Sequence, residues 1–312
     1  MQPAPQGTLR ILHLSDTHLA GDGALHHGTV DTTAALEALL ASLEDLTDVG
    51  LVVVSGDCSD DGSVASYETL RDRVGDWARS HGAALVVVPG NHDDREGFRA
   101  VLGNGHLLGE GGAPLMRTLE HLPPSVPVTG ISVVAGRRII TLDTSVPGAG
   151  WGELSDLALE RLRAWLATSD DDGDGDLGTV VVLHHPPLPA PTRLHEALRL
   201  QNPQALESAL RDSDVRLVLA GHYHHQFTGS LAGVPERVPV LVAPGVANDT
   251  VVTGPYDEEH GVIGTGALVV DLATDGSVWS TPVRVQRPDD GDEAFSHSAE
   301  VVARIAEEFG RS

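Results

Sequence analysis

The amino-acid sequence predicts an α/β fold: two packed sheets flanked by helices. Three observations point there. Short apolar, β-branched runs recur along the chain and close on Gly, Pro or Asp. Helical patterns separate the early runs. The later runs come closer together, as strands of a second sheet do.

LRILHLS at 9–15 is the first expected strand. DTTAALEALLASLEDL at 31–46 places apolar residues at helical spacing behind Asp31, an N-cap type. LVVVSG at 51–56 is the second strand, SVASYETLRDRVGDWARSH at 63–81 the second helix, and ALVVVPG at 84–90 the third strand. RRIITLD at 137–143 precedes the helical SDLALERLRAWLA at 155–167. TVVVLHH (179–185), VRLVLAGH (215–222), VPVLVAPG (238–245) and GALVVDL (266–272) complete the strands. QRPDDGDEAFSHS at 286–298 is a polar linker before the amphipathic helix AEVVARIAEEF at 299–309. The chain thus divides into a domain over 1–285 and a linker-plus-helix tail over 286–312. DDDGDGDLG at 170–178 partly mimics a calcium loop through Asp170, Asp172, Asp174 and Gly175. Val181 stands where that loop needs a bidentate Glu, so the stretch reads as a solvated acidic linker.

A chain of 312 residues, 41% hydrophobic, can bury a sizeable core. The formal net charge is −25, and all 20 basic residues are Arg. Such a surface repels nucleic-acid backbones and anionic membranes, so neither is an expected partner. An anionic substrate would have to be drawn by something other than surface charge, such as a bound metal. The single Cys58 excludes an intramolecular disulfide and fits a reducing compartment. No apolar run approaches a membrane span, and the expected location is cytoplasmic.

The residues just beyond each strand carry the chemistry. The first strand ends in Asp16-Thr17-His18, the second in Gly56-Asp57, the third in Gly90-Asn91-His92-Asp93. Later strands end in His184-His185-Pro186-Pro187 and Gly221-His222-Tyr223-His224. Ligands of α/β sheets bind outside the strand carboxyl ends. Asp16, His18, Asp57, Asn91, His184 or His185, His222 and His224 form an oxygen and nitrogen donor set without thiolate, suited to zinc, manganese or iron. Seven ligands exceed one tetrahedral site and suffice for two ions that share a carboxylate. The glycines before Asp57, Asn91 and His222 are expected to permit tight turns.

The order D-x-H, G-D, G-N-H-D, H-x-P, G-H-x-H resembles that of the calcineurin-like metallophosphoesterases. LSDTHL, GNHDD, LDTSVPG, LHHPPLP and AGHYHH resemble the class III cyclic nucleotide phosphodiesterases within them, a group similar to bacterial glycerophosphodiesterases. The likeness runs from about Leu9 to Asp271. It implies a four-layer αββα sandwich of two mixed sheets, with the metallophosphoesterase domain over 1–285. It also implies two divalent or mixed-valence ions of iron, manganese or zinc. Asp16, His18 and His224 would hold the first, Asn91, His184 and His222 the second, and Asp57 would bridge them. His184 is preferred to His185 because the family ligand stands two residues before the proline. His92 matches the family's catalytic histidine, and family members are often homodimers.

The resulting expectation is a phosphodiesterase acting on small diesters by in-line attack of a metal-bridging hydroxide, with 3′,5′-cyclic AMP the first candidate. Competing readings are a broad-specificity diesterase on glycerophosphodiesters and a non-catalytic signalling module. Around the centre, Asp143 is expected to support structure, and Asp93 and Asp94 to cap the helix near Arg95. His26 and His27 are read as solvated loop residues rather than a substrate mouth, and Cys58 as a small buried filler. Tyr223 is a residue able to stack on a base.

Overall fold

The computed structural model describes residues 2–115, 122–168, 177–231 and 237–311. The acidic stretch read as a linker lies largely outside them. The first half runs β1 (Leu9–Leu14), α1 (Thr32–Ser42), β2 (Val49–Val54), α2 (Val64–Ser80), β3 (Ala84–Val87), α3 (Arg95–Leu102) and β4 (His106–Leu108). Next come β5 (Gly130–Val134), β6 (Arg137–Leu142), α4 (Asp156–Ala167), β7 (Thr179–Leu183), α5 (Arg193–Ala197), α6 (Pro203–Leu210) and β8 (Val215–Ala220). The rest is β9 (Phe227–Ser230), β10 (Pro239–Val242), β11 (Asn248–Thr250), β12 (Glu259–Ile263), β13 (Thr265–Leu272), β14 (Val278–Val285), β15 (Glu293–His297) and α7 (Ala299–Phe309). Side-chain oxygens of Asp31, Ser63, Asp94 and Ser155 accept backbone N–H groups at the starts of α1 to α4. The first of these helices stops at Ser42, short of the expected 46.

Two six-stranded mixed sheets form, in the orders β14-β13-β1-β2-β3-β4 and β5-β6-β7-β8-β10-β9. Strand alternation explains how they stack. Leu9 and Ile11 of β1, Leu51 and Val53 of β2, and Val180 and Val182 of β7 point into one core between the sheets. The alternate residues face outward: Leu12, Leu14, Val52 and Val54 meet Leu36 and Leu39 of α1 and Leu70 and Val74 of α2. Val181 and Leu183 meet Leu159 and Leu162 of α4 and Leu206 of α6. Helix, sheet, sheet and helix are the four layers. Nearly continuous apolar strands are needed because both faces are covered.

β1, β2 and β3 are mutually parallel, as are β7 and β8, so their carboxyl ends share an edge of each sheet. The two edges meet directly: Val246 N–H donates to Ser15 O and Ala247 N–H to Asp16 O, each at 3.0 Å. A third, three-stranded sheet, β11-β12-β15, was not expected. Its β15 lies inside the stretch read as a polar linker. Glu293 to His297 alternates, with Ala294 buried and its neighbours half-buried or exposed. Polarity on one face of a covered sheet is easily mistaken for linker composition.

Candidate functional site

The sheet edge brings together every residue proposed from the strand ends. Asp16, His18, Asp57 and His224 offer ligand atoms that all lie within 4.8 Å of one another. His18 Nε2 stands 3.1 Å from His224 Nε2, and His224 Nε2 stands 3.4 Å from Asp16 Oδ1. On the other side, His184 Nε2 is 3.2 Å from Asn91 Oδ1. Between the groups stands Asp57, whose Oδ2 is 3.6 Å from His18 Nε2 and 3.3 Å from His184 Nε2. His222 is buried, and its Nε2 has no hydrogen-bond partner among the described residues.

The backbone here is unusual. Among the described residues nine non-glycines have positive φ, and five of them are Asp16, His18, Asp57, His222 and His224. Left-handed backbone costs energy at non-glycine positions and gathers where a site demands it. The preceding glycines act in different ways. Gly56 has φ of 103° and supplies a turn. Gly90 does not; a Cβ on it would overlap the Asp57 carboxylate, so it supplies room.

Three of the central imidazoles are aimed from behind. His18 Nδ1 is held by Asp60 Oδ1 at 3.1 Å, His184 Nδ1 by Ser55 O at 2.8 Å, and His224 Nδ1 by Asn248 Oδ1 at 3.0 Å. With each Nδ1 committed outward, Nε2 is the nitrogen left to face the centre, as metal-ligating histidines require. The orphaned Nε2 of His222 and the two facing nitrogens of His18 and His224 are unsatisfied arrangements that a cation would relieve. The residues therefore fit a metal centre. His185 is near His184 and His222, but its Nδ1 contacts Thr144 Oγ1 at 2.8 Å and its Nε2 contacts Gly150 O at 3.2 Å. Both of its nitrogens are spoken for, which favours His184 as the ligand.

Without cations the charges settle among the side chains. Burial raises the Asp16 carboxyl. Burial acts the same way on Asp57, but His184 and His92 outweigh it and hold that carboxyl well below the usual range. Burial depresses His184 and His92, yet Asp57 lifts both to about 9. His18 and His222 are driven well below the ordinary imidazole value by burial and by neighbouring imidazoles. Cations binding here would release the protons that now neutralise Asp57.

His92 reaches the centre differently. Its backbone N–H donates to Asp57 Oδ1 at 2.9 Å, its Nδ1 is 3.5 Å from Asp60 Oδ1, and its ring is 44% exposed in the cavity. The cavity, about 480 Å³, opens over the centre. His26 is buried, stacks on His18 at 4.3 Å and lies 3.0 Å from Asp60 Oδ1, so it is part of the site and not a solvated loop residue. His27 is exposed but also lines the cavity. Tyr223 is fully buried and its hydroxyl donates to Leu188 O at 2.9 Å, so it cannot stack on a base. Asp143 takes Arg95 Nε at 2.7 Å, Val128 N–H at 2.8 Å and Ser145 N–H at 2.8 Å, a structural role. Asp94 caps α3, whereas Asp93 accepts from Gly90, Cys58 and Ser59 N–H groups and ties two ligand loops together.

The family model for calcineurin-like phosphoesterases matches residues 9–226, which contain every one of these strand ends. The chain belongs to that family. The phosphoesterase is 37% identical over 238 residues to the cAMP/cGMP dual specificity phosphodiesterase of Mycobacterium tuberculosis, covering 75% of this chain and 67% of that one. It is 36% identical over 228 residues to a probable cyclic nucleotide phosphodiesterase of Rhodococcus erythropolis, covering 73% and 69%. It is 28% identical over 225 residues to the glycerophosphodiester phosphodiesterase of Enterobacter lignolyticus, covering 69% and 70%.

Sequence reading missed four contributors to the phosphoesterase centre. Asp60 stands three residues after Asp57, a spacing that could have marked it. Asn248, the Ser55 carbonyl and Thr144 carry no local signal. Among the described residues no helix is long and apolar enough to cross a membrane.

Proposed function

We propose that this phosphoesterase hydrolyses 3′,5′-cyclic nucleotides, with cyclic AMP the first candidate, at a centre of two cations. Asp16, His18 and His224 would hold one, Asn91, His184 and His222 the other, and Asp57 would be shared. The observation that carries the reading is the Asp57 carboxylate, whose Oδ2 has His18 Nε2 at 3.6 Å on one side and His184 Nε2 at 3.3 Å on the other. The donor set of oxygen and imidazole nitrogen suits iron, manganese or zinc. When bound, such cations acidify water and neutralise phosphoryl charge.

The chain's own residues do the rest. Asp60, Ser55 and Asn248 hold the Nδ1 atoms of His18, His184 and His224, so each Nε2 faces the centre and would bind a cation there, that of His184 after losing the proton it shares with Asp57. His92, anchored through its backbone on Asp57 and through Nδ1 near Asp60, keeps Nε2 for the substrate. There it donates a proton to the leaving oxygen. The name of the mycobacterial relative favours a cyclic nucleotide over a glycerophosphodiester. A cytoplasmic location, expected from the single Cys58 and the lack of a long apolar run, and a homodimer, implied by the family resemblance, belong to the same reading; cell fractionation and sedimentation test them.

The deciding experiment is metal analysis with a substrate panel. Purified, manganese-loaded protein is assayed on cyclic AMP, 2′,3′-cyclic AMP, bis(p-nitrophenyl) phosphate and glycerophosphocholine. The highest kcat/KM is expected on cyclic AMP, with two metals per chain. A much higher efficiency on glycerophosphocholine overturns the substrate assignment, and one metal per chain overturns the shared carboxylate.

A further inference from the structure

One wall of the cavity comes from beyond the residues that the family model matches. β11, β12 and β15 all lie after residue 226. Their register sets Thr250 and Phe295 opposite Gly261, and His297 opposite Glu259. Residues opposite or two apart share a face of a sheet. That face is turned inward, since Thr250, Glu259, Phe295 and His297 all line the cavity. Gly261 leaves space on it: a Cβ there would overlap the Phe295 ring.

Glu259 is the anomaly on this face. It is 2% exposed, and neither carboxylate oxygen has a hydrogen-bond partner among the described residues. Its neighbours account for this. A ring N–H of His195 donates to the His222 carbonyl. His195 Nδ1 lies 2.9 Å from Thr192 Oγ1, so with its own N–H on Nε2 the ring competes with the Glu259 carboxyl for the one Thr192 hydroxyl proton. The same Nδ1 is 3.5 Å from Glu259 Oε1 and has no proton to offer it. Burial lifts the Glu259 carboxyl to about 7. A buried carboxyl with two oxygens and at most one contested donor costs stability unless something else meets it.

The surroundings indicate what meets it. From His18 the rings run outward: His26 at 4.3 Å from it, His27 at 4.1 Å from His26, Phe295 at 4.3 Å from His27 and His297 at 5.0 Å from Phe295. Such a surface takes a flat, π-bearing group. We propose that Glu259 is a specificity-determining residue, accepting a hydrogen bond from an N–H or O–H donor on the organic arm of a nucleotide-like diester while Phe295 packs against that arm. This rests on the diesterase reading above. Cyclic AMP carries two such donors, the 2′-hydroxyl and the exocyclic amine; bis(p-nitrophenyl) phosphate has flat rings and none.

The test compares wild type, Glu259→Met and Glu259→Gln, each manganese-loaded, on cyclic AMP and bis(p-nitrophenyl) phosphate. In Glu259→Met the ratio of kcat/KM for cyclic AMP to that for bis(p-nitrophenyl) phosphate is expected to fall about tenfold, mostly through KM, as loss of one hydrogen bond implies. Glu259→Gln, which keeps an acceptor, should recover part of the ratio. The thermal midpoint of metal-free Glu259→Met should rise, because the unpaired carboxyl is gone. An unchanged ratio in an active protein overturns the specificity role alone, as does a lowered midpoint, which would make Glu259 a structural residue. Inactivity of wild type on both substrates overturns the diesterase reading instead.

Discussion

Asp60→Asn tests how the centre is held. Three imidazoles converge on one atom, Asp60 Oδ1: His26 Nδ1 at 3.0 Å, His18 Nδ1 at 3.1 Å and His92 Nδ1 at 3.5 Å. Asn preserves the volume but replaces an anion that only accepts with a neutral amide that both accepts and donates. The contact most damaged is that with His18, whose outward Nδ1 fixes the direction of Nε2. Outer partners of this kind are worth about 10–100-fold in metal affinity, or about 1.4–2.7 kcal/mol. The Asp60 side chain is 28% exposed, so water replaces part of what is lost and the lower half of that range applies. A second effect is electrostatic. Asp57 and Asp60 together lift His92 to about 9, and with only Asp57 left its pKa should fall toward the ordinary imidazole value. Calorimetric titration of metal-stripped protein with manganese reads the first effect. Histidine NMR of the same metal-free protein reads the second. Manganese affinity within about twofold of wild type, well short of an outer-partner effect, together with an unmoved His92, would show that Asp60 orients neither ring.

His92→Ala should lower kcat by about 10²–10⁴ while metal content, measured by elemental analysis, stays at the wild-type level; loss of metal would make His92 a ligand. Asp143→Ala breaks a buried ion pair, Arg95 Nε to Asp143 Oδ2 at 2.7 Å, and leaves Arg95 without its carboxylate. Its denaturant midpoint should report a loss of about 3–5 kcal/mol, with metal stoichiometry retained in the folded fraction. His106, buried between Ser132 and Thr141, has its pKa lowered to about 4 by burial. The unfolded chain therefore binds a proton at this site between pH 6.5 and about 4 that the folded chain refuses. Stability is complete above pH 6.5 and falls as pH drops through that window, by about 3 kcal/mol from this group alone. Denaturation of His106→Asn across the same pH range should show a shallower slope.

The sequence by itself determined the layers and most of the centre. Strands such as VVV at 52–54 and 180–182 are apolar on both faces, which only a sheet covered on both sides explains. The candidate ligands Asp16, Asp57 and His222 stand two or three residues after β1, β2 and β8, so placing the strands placed them. That much is local: β-strand periodicity and the residue at a strand end are written in consecutive positions. Tertiary structure alone decided which groups aim the candidate ligands and what walls the cavity. His224 is aimed by Asn248 and His184 by the Ser55 carbonyl, partners 24 and 129 residues away. Glu259 reads as an ordinary surface acid in EEHGVIG, and becomes a buried, unpaired carboxyl only once β12 pairs with β15 and folds over His195. A hydrogen-bond partner is chosen by proximity in space, and between segments this far apart proximity exists only after the sheets have closed.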